Sequence, residues 1–525
     1  LVAITFLYLF IIYIFIFSSH LWSQISPQSK KVTSLFFPDY EELENITPGL
    51  KKKKGYTNYS ELMIFLNNLV DQNPDLAQLQ FIGESQKGKK IPLLILNNQN
   101  NRPKIKVWMQ GGLHGNEPAS TEGMLYVLDK LINDNNYTYL LDKIELRVVP
   151  MANIDGYLKQ SRYAANGLDL NRDQTKLVAK ESIVLKQAFS DFNPDVGLDF
   201  HEYRPYRKDF AQLSNFGITA LYDAMFLNSG NLNVPENLRI LTDTLFVENA
   251  RQELDKYNFN HHSYISTRKV AGEIHFNQGS TNARSSATNF ALTNTISTLL
   301  EIRGVGIGKT AFKRRVYITS LIAFSYLRSS YNNIEIIKNA IKTANLDNKD
   351  IVVTSLKSVY KDTIEAIDLD TNKIIDLEVT IRDGLKAKPD IVRKRPNAYL
   401  IDADQRFIVD KLKTLGVKVD SLSNAQEFTI ETYKVTDYQR ASKKYEKVNV
   451  QTIKTMLSNK NILFPKGTYK VSMKQRRSNI IAEVLEPESP NSFVSFGILK
   501  TEKNKILPIY RLSLIHISEP TRHDQ

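Results

Sequence analysis

The chain of 525 residues contains no cysteine. That absence excludes a disulfide framework, a thiolate metal site and a cysteine nucleophile, so any metal would have to be held by histidine, aspartate and glutamate. Concentrated charge is missing too. Lys and Arg outnumber Asp and Glu by 69 to 56, but the excess is scattered. Lys51–Lys54 is its only tight run and reads as a solvated linker, so no nucleic-acid partner is expected. Hydrophobic residues make up 42% and charged residues 24% of the chain, ordinary globular values that exclude a disordered or fibrous protein. At this length they leave room for a large core and two or more domains.

Residues Leu1–Phe17 form an unbroken apolar stretch followed by a polar segment. Residues 1–24 read as an export signal removed near Ser23-Gln24, which places the protein in a periplasmic or extracellular compartment. An N-terminal membrane anchor through residues 1–17 is the alternative, because the run is slightly short for a span yet longer than a typical signal core. The chain opens on Leu1 without a basic leader, so its true start is expected upstream. Residues 513–525 (SLIHISEPTRHDQ) lose the pattern of what precedes them and resemble a translated sequencing adapter. His516 and His523 are accordingly set aside.

Between these ends the apolar periodicity changes repeatedly. Helical spacing is predicted over Tyr59–Leu69 with Ser60 as N-cap, from Pro118, and over Glu181–Phe192, Pro235–Tyr257 and Thr310–Ser329. Strands are predicted at Leu79–Ile82, Ile91–Leu96, Ile105–Met109, Ile144–Pro150, Asp195–Phe200 and Thr293–Ile302. Alternating strands and helices indicate an α/β fold with a mostly parallel mixed sheet flanked by helices. From Asn333 the texture becomes short alternating runs, with helical patches at Gln405–Leu415 and Val450–Leu457, so residues 333–512 read as a smaller β-rich accessory region. Nothing there has ligand spacing.

The chemistry-bearing residues gather at strand ends. Gly111-Gly112-Leu113-His114-Gly115-Asn116-Glu117 is a small-residue turn that can aim an imidazole and a carboxylate at one divalent cation, zinc being the first choice. His201 ends the Asp195–Phe200 strand, and Glu301 ends the next. Open α/β sheets bind ligands at such ends, and three separated segments converging there are a stronger signal than one motif. Glu202, beside His201, should point to the opposite side of the strand, whereas Asp199 lies on the His201 side and could orient its imidazole. His261, His262 and His275 read as surface or loop histidines. Arg284 and Arg303 could line a pocket or form structural ion pairs.

His114-x-x-Glu117, Arg162, Asn171-Arg172, His201 and Glu301, in that order and with Gly83-x-Ser85-x-x-Gly88 upstream, resemble the zinc carboxypeptidase family over roughly Tyr56–Arg328. The resemblance implies a catalytic domain at 56–330 in which His114, Glu117 and His201 hold one zinc per chain. It implies Glu301 as general base, Arg162 facing the oxyanion, and Asn171 with Arg172 gripping the terminal carboxylate of a peptide or peptide-like substrate. An exported metallopeptidase is then expected, a hydrolase releasing C-terminal amino acids. Two departures stand out. No tyrosine occurs in Gly279–Thr288, with Tyr264 a distant candidate, and the interval from Glu117 to His201 is short for digestive-type carboxypeptidases. That interval is closer to the aspartoacylase and succinylglutamate desuccinylase branch, so an amidohydrolase of N-acyl amino acids or of cell-wall peptide is the alternative. A catalytically dead binding protein is the third reading.

Overall fold

The computed structural model describes residues 26–100 and 102–513. The expected export signal or anchor, and all but the first residue of the 513–525 tail, lie outside the described residues. Among those described, no helix is long and apolar enough to cross a membrane.

An eight-stranded mixed sheet carries the site. Its strands are β1 (Ala77–Glu84), β2 (Lys90–Leu96), β3 (Ile105–Gly111), β4 (Ile144–Val149), β5 (Val196–Tyr203), β6 (Ala224–Asn228), β7 (His261–Ser263) and β8 (Ile296–Arg303), in the spatial order β1-β2-β4-β3-β5-β8-β6-β7. The central strands β4, β3, β5 and β8 run parallel, β1 and β2 pair antiparallel to their neighbours, and β6 pairs antiparallel to β8 and parallel to β7. Every residue of β5 is buried, as a parallel strand covered on both faces requires.

Helices α1 (Tyr59–Gln72), α2 (Pro118–Asn133), α3 (Lys180–Phe192), α4 (Ser286–Ala291) and α5 (Phe312–Asn332) surround this sheet. Trp108 of β3 meets Phe189 of α3 edge-on, and Phe189 stacks on Phe290 of α4. Gly111, on the other face by the two-residue period of a strand, lies against α2, and α2 packs so closely on α5 that Gly123 abuts Thr319. α1 begins two residues earlier than Ser60 suggested. Asn58 caps it because Glu61 returns a hydrogen bond to the Asn58 N–H, completing a capping box that Ser60 cannot form.

A second sheet draws on both sides of the 333 boundary. The hairpin Ser355–Asp368 and Ile374–Pro389 pairs with Ile218–Ala220 on one edge and with Glu273–Gln278 on the other. A third sheet of six strands lies wholly within 398–512. Its longest pairing corrects one expectation: Val450–Leu457 is not helical, and Gln451–Phe464 is a strand paired antiparallel with Gln426–Arg440. Val450, Thr452, Ile453 and Thr455 are β-branched, and burial alternates from Gln451 with a period of two, a pattern that a pleated, half-buried strand satisfies better than a helix.

Candidate metal centre and cleft

The turn after β3 owes its path to two glycines. Gly112 sits at φ +65° and a Cβ on it would lie 2.7 Å from Thr121 Oγ1, while a Cβ on Gly115 would come within 2.1 Å of the Gly156 carbonyl carbon. His114 therefore reaches the C-terminal end of the sheet. Glu117 occupies the N-cap of α2 ahead of Pro118, yet its side chain makes no capping bond. It turns instead towards the histidines.

His114 Nδ1 lies 2.8 Å from Glu117 Oε1, and His201 Nδ1 lies 2.8 Å from Glu117 Oε2 and 3.0 Å from His114 Nδ1. The far nitrogens face carboxylates: His114 Nε2 is 2.9 Å from Asp169 Oδ1, and His201 Nε2 is 2.9 Å from Asp199 Oδ2. Ionised carboxylates accept only, so they fix the imidazole protons on Nε2 and leave both Nδ1 lone pairs aimed at each other and at Glu117. Lone pairs crowded in this way call for a cation among them. A set of two nitrogens and one carboxylate, each imidazole backed by a further carboxylate, suits zinc with a coordination position left over. This is the one such cluster found among the described residues.

The charges agree. Burial opposes ionisation of Glu117, but His114 and His201 outweigh it and hold the carboxyl well below its ordinary range. Burial likewise opposes a charged His201, and Asp199 with Glu117 overcomes this and raises it well above the usual imidazole value.

Glu301 stands in register beside His201 on the adjacent parallel strand, which puts both side chains on one face. Burial first, then the Glu117 charge, pushes its carboxyl up to about 7. Arg162 donates from Nε to Asp169 Oδ2 at 2.9 Å and stands 3.6 Å from Glu117. Burial works against the Arg162 charge, and Asp169 and Glu117 more than compensate, holding it protonated. His114, Arg162, Asn171, Arg172 and Glu301 all border one cleft of about 690 Å³, with Glu117 and His201 buried beneath it. Asn171 Oδ1 accepts from the Ser286 N–H at 2.8 Å, so only its amide NH2 is left for a ligand. Arg172 donates from one guanidinium nitrogen to the Asn171 carbonyl, and its other nitrogens remain for the cleft.

The remaining candidates sort by geometry. Glu202 points away from His201, as the strand period requires, and is buried rather than exposed, accepting from Arg315 Nε at 2.7 Å and the Ala119 N–H at 2.9 Å. Arg303 is buried away from the cleft, donating to Gln28, Thr219 and the carbonyls of Pro27 and Ala220. His261 meets Asp255, His262 the Ser263 carbonyl, and His275 Glu273. Tyr264 lines the cleft, its hydroxyl 3.4 Å from Arg207. Sequence reasoning assigned no role to Asp169, although its place two residues before Asn171 in a polar loop was a signal. It had no access to Glu446, which accepts from the Asp169 N–H at 3.0 Å across 277 positions.

A family model described as zinc carboxypeptidase matches residues 62–212. Carboxypeptidase 2 of Trichophyton rubrum is 30% identical over 461 residues, covering 85% of this chain and 85% of that protein, and carboxypeptidase 2 of Trichophyton equinum is 29% identical over 460 residues with the same coverage. Among solved structures, carboxypeptidase A from Helicoverpa armigera aligns with 54% of this chain and 77% of that one, at 18% identity and a TM-score of 0.42.

Proposed function

The chain belongs to the zinc carboxypeptidase family, and on that premise we propose that it releases single residues from the C-terminus of peptides, with Glu301 as general base and one zinc held by His114, Glu117 and His201. The observation that carries this reading is the in-register placement of Glu301 beside His201, directly above the three-ligand cluster and on the wall of the same cleft.

Each side chain has a part that its surroundings support. Zinc, when bound, supplies Lewis-acid polarisation and a lowered pKa for water. Glu301 takes the proton of the attacking water and passes it to the departing amine, a task for a carboxylate whose pKa lies near the working pH. Arg162, clamped by Asp169, presents a fixed positive charge to the oxyanion that develops at the scissile carbonyl, where preorganised charge lowers the barrier most. Asp169 and Asp199 keep His114 and His201 oriented with their Nδ1 atoms inward. The Asn171 amide and the Arg172 fork hold the free α-carboxylate, which makes the enzyme an exopeptidase.

The test is a pair of peptides alike except for the C-terminus. Amidating it removes the charge that Arg172 is assigned to bind, so kcat/KM is expected to fall tenfold or more, the worth of about 1.5–3 kcal/mol for a hydrogen bond to a charged group. Equal cleavage of free and amidated peptides, or internal cuts, would sink the role given to Arg172. A short N-acyl amino acid serves as the second arm, because its preferred hydrolysis over the peptide would favour the amidohydrolase reading.

A further inference from the structure

The lining of the cleft carries more positive charge than the chemistry uses. Arg172, Arg204, Arg207, Arg268, Arg284 and Lys357 all line it. The carboxylates that line it are Glu301 and Glu202, and Glu202 is already bound to Arg315. Among the described residues none of the six cations has a carboxylate within ion-pair distance, whereas Arg314 is matched with Asp223, Arg393 with Glu488 and Arg511 with Glu486, and the buried Arg303 and Arg477 are answered by neutral acceptors. Arg204 and Arg268 are exposed and the other four partly so, and like charges gathered in one cleft without anions focus a positive field that an anionic ligand answers.

Arg284 is the best placed of the six. Its backbone is tied to the segment assigned to the substrate carboxylate: the Arg284 carbonyl accepts from the Gln174 N–H at 3.3 Å, and two residues on the Ser286 N–H donates to Asn171 Oδ1. Its guanidinium lies 4.9 Å from the centre of the Tyr445 ring, which braces one face and leaves the planar edge free. That edge has no acceptor among the described residues. Burial, and after it the charge of Arg172 with Tyr445 and Asp169 opposing, moves the Arg284 pKa below its usual value. Lys357 is shifted the same way by burial and then by Arg382 and Arg268.

Building on the carboxypeptidase reading, we propose that the cleft is specific for acidic peptides and that Arg284 receives the side-chain carboxylate of a C-terminal glutamate or aspartate. Such a residue presents two carboxylates a few ångströms apart. Arg172 takes the α-carboxylate and Arg284 the side chain, each through a bidentate fork. Lys357 and Arg268 extend the positive wall, so the same field repels a C-terminal lysine or arginine.

Four peptides with one body and free C-termini, ending in Glu, Gln, Leu or Lys, test this directly. The wild-type enzyme should release Glu with kcat/KM tenfold or more above Gln, the scale of one charge-assisted hydrogen bond, and Lys should be the slowest. The Glu advantage should shrink as salt is raised. In Arg284→Gln the ratio of Glu to Gln should fall towards one, and Arg284→Lys should retain part of it. No preference for Glu over Gln in the wild type overturns the proposal without any variant. A loss of the same factor for all four peptides in Arg284→Gln also overturns it, by making Arg284 a holder of the α-carboxylate. Release of no C-terminal residue from any of the four would sink the carboxypeptidase reading, and this proposal with it. Preserved cleavage with indifference to the last side chain sinks the proposal alone.

Discussion

Exchanging Glu301 for glutamine is expected to lower kcat by about 10²–10⁴, the usual scale for loss of a general base, while leaving bound zinc unchanged. The amide keeps the shape and polarity of the side chain but cannot accept the proton. Because Glu301 lies beside the ligand cluster rather than within it, the metal should stay. The pH profile adds a second readout. Burial and the neighbouring Glu117 push Glu301 up to about 7. A bound dication favours the ionised form and draws the value down. The base form is populated above that pKa, so kcat/KM should rise with pH along an acid limb centred below 7 and be lost as pH falls through it. In Glu301→Gln that limb should disappear. Near-normal turnover, or an unchanged limb in the variant, would remove Glu301 from the role of base.

Replacing His201 with alanine should abolish both metal content and turnover. His201 is one of the three proposed donors, and its removal leaves the buried Glu117 carboxylate short of a partner. Metal analysis of the intact protein is expected to give about one zinc per chain by the three-ligand rule, and His201→Ala is expected to give almost none. A chelator should reproduce the loss in the wild-type protein, and added zinc should reverse it. Asp199→Asn provides a graded companion, since it leaves the three candidate donors in place and weakens the hold on the His201 ring and on the Ser286 hydroxyl. Its expected cost is about 10–100-fold in metal affinity. Full zinc and full activity in His201→Ala would show that the cluster is not the metal site. Circular dichroism of each variant separates metal loss from unfolding.

Local pattern made much of this protein legible. The alternation of apolar periods is set by residues that are neighbours in sequence, and it yielded six of the eight strands of the main sheet, most of its helices and the positions of His114, His201 and Glu301 at strand ends, but missed the strands Ala224–Asn228 and His261–Ser263 and the short helix Ser286–Ala291. It failed at Val450–Leu457, where a short apolar run fits either period and only pairing with Gln426–Arg440 decides between them. It also placed the first cap at Ser60, although the reciprocal bond between Asn58 and Glu61 draws it upstream.

By itself, then, the sequence determined which residue types were available for metal and proton chemistry: with no cysteine, a histidine-carboxylate site was the only kind open to it, and the ordered set from His114 to Glu301 supplied its candidates. Tertiary structure alone decided what surrounds them. Asp169 behind His114, Ser286 against Asn171, Glu446 beneath Asp169 and the cationic wall around Arg284 are contacts between segments far apart in the chain. The reason is physical. Periodicity reports which face of an element is buried, a local property of each segment. Which distant side chain meets that face depends on strand order, register and loop path, and these are fixed only when the whole core packs.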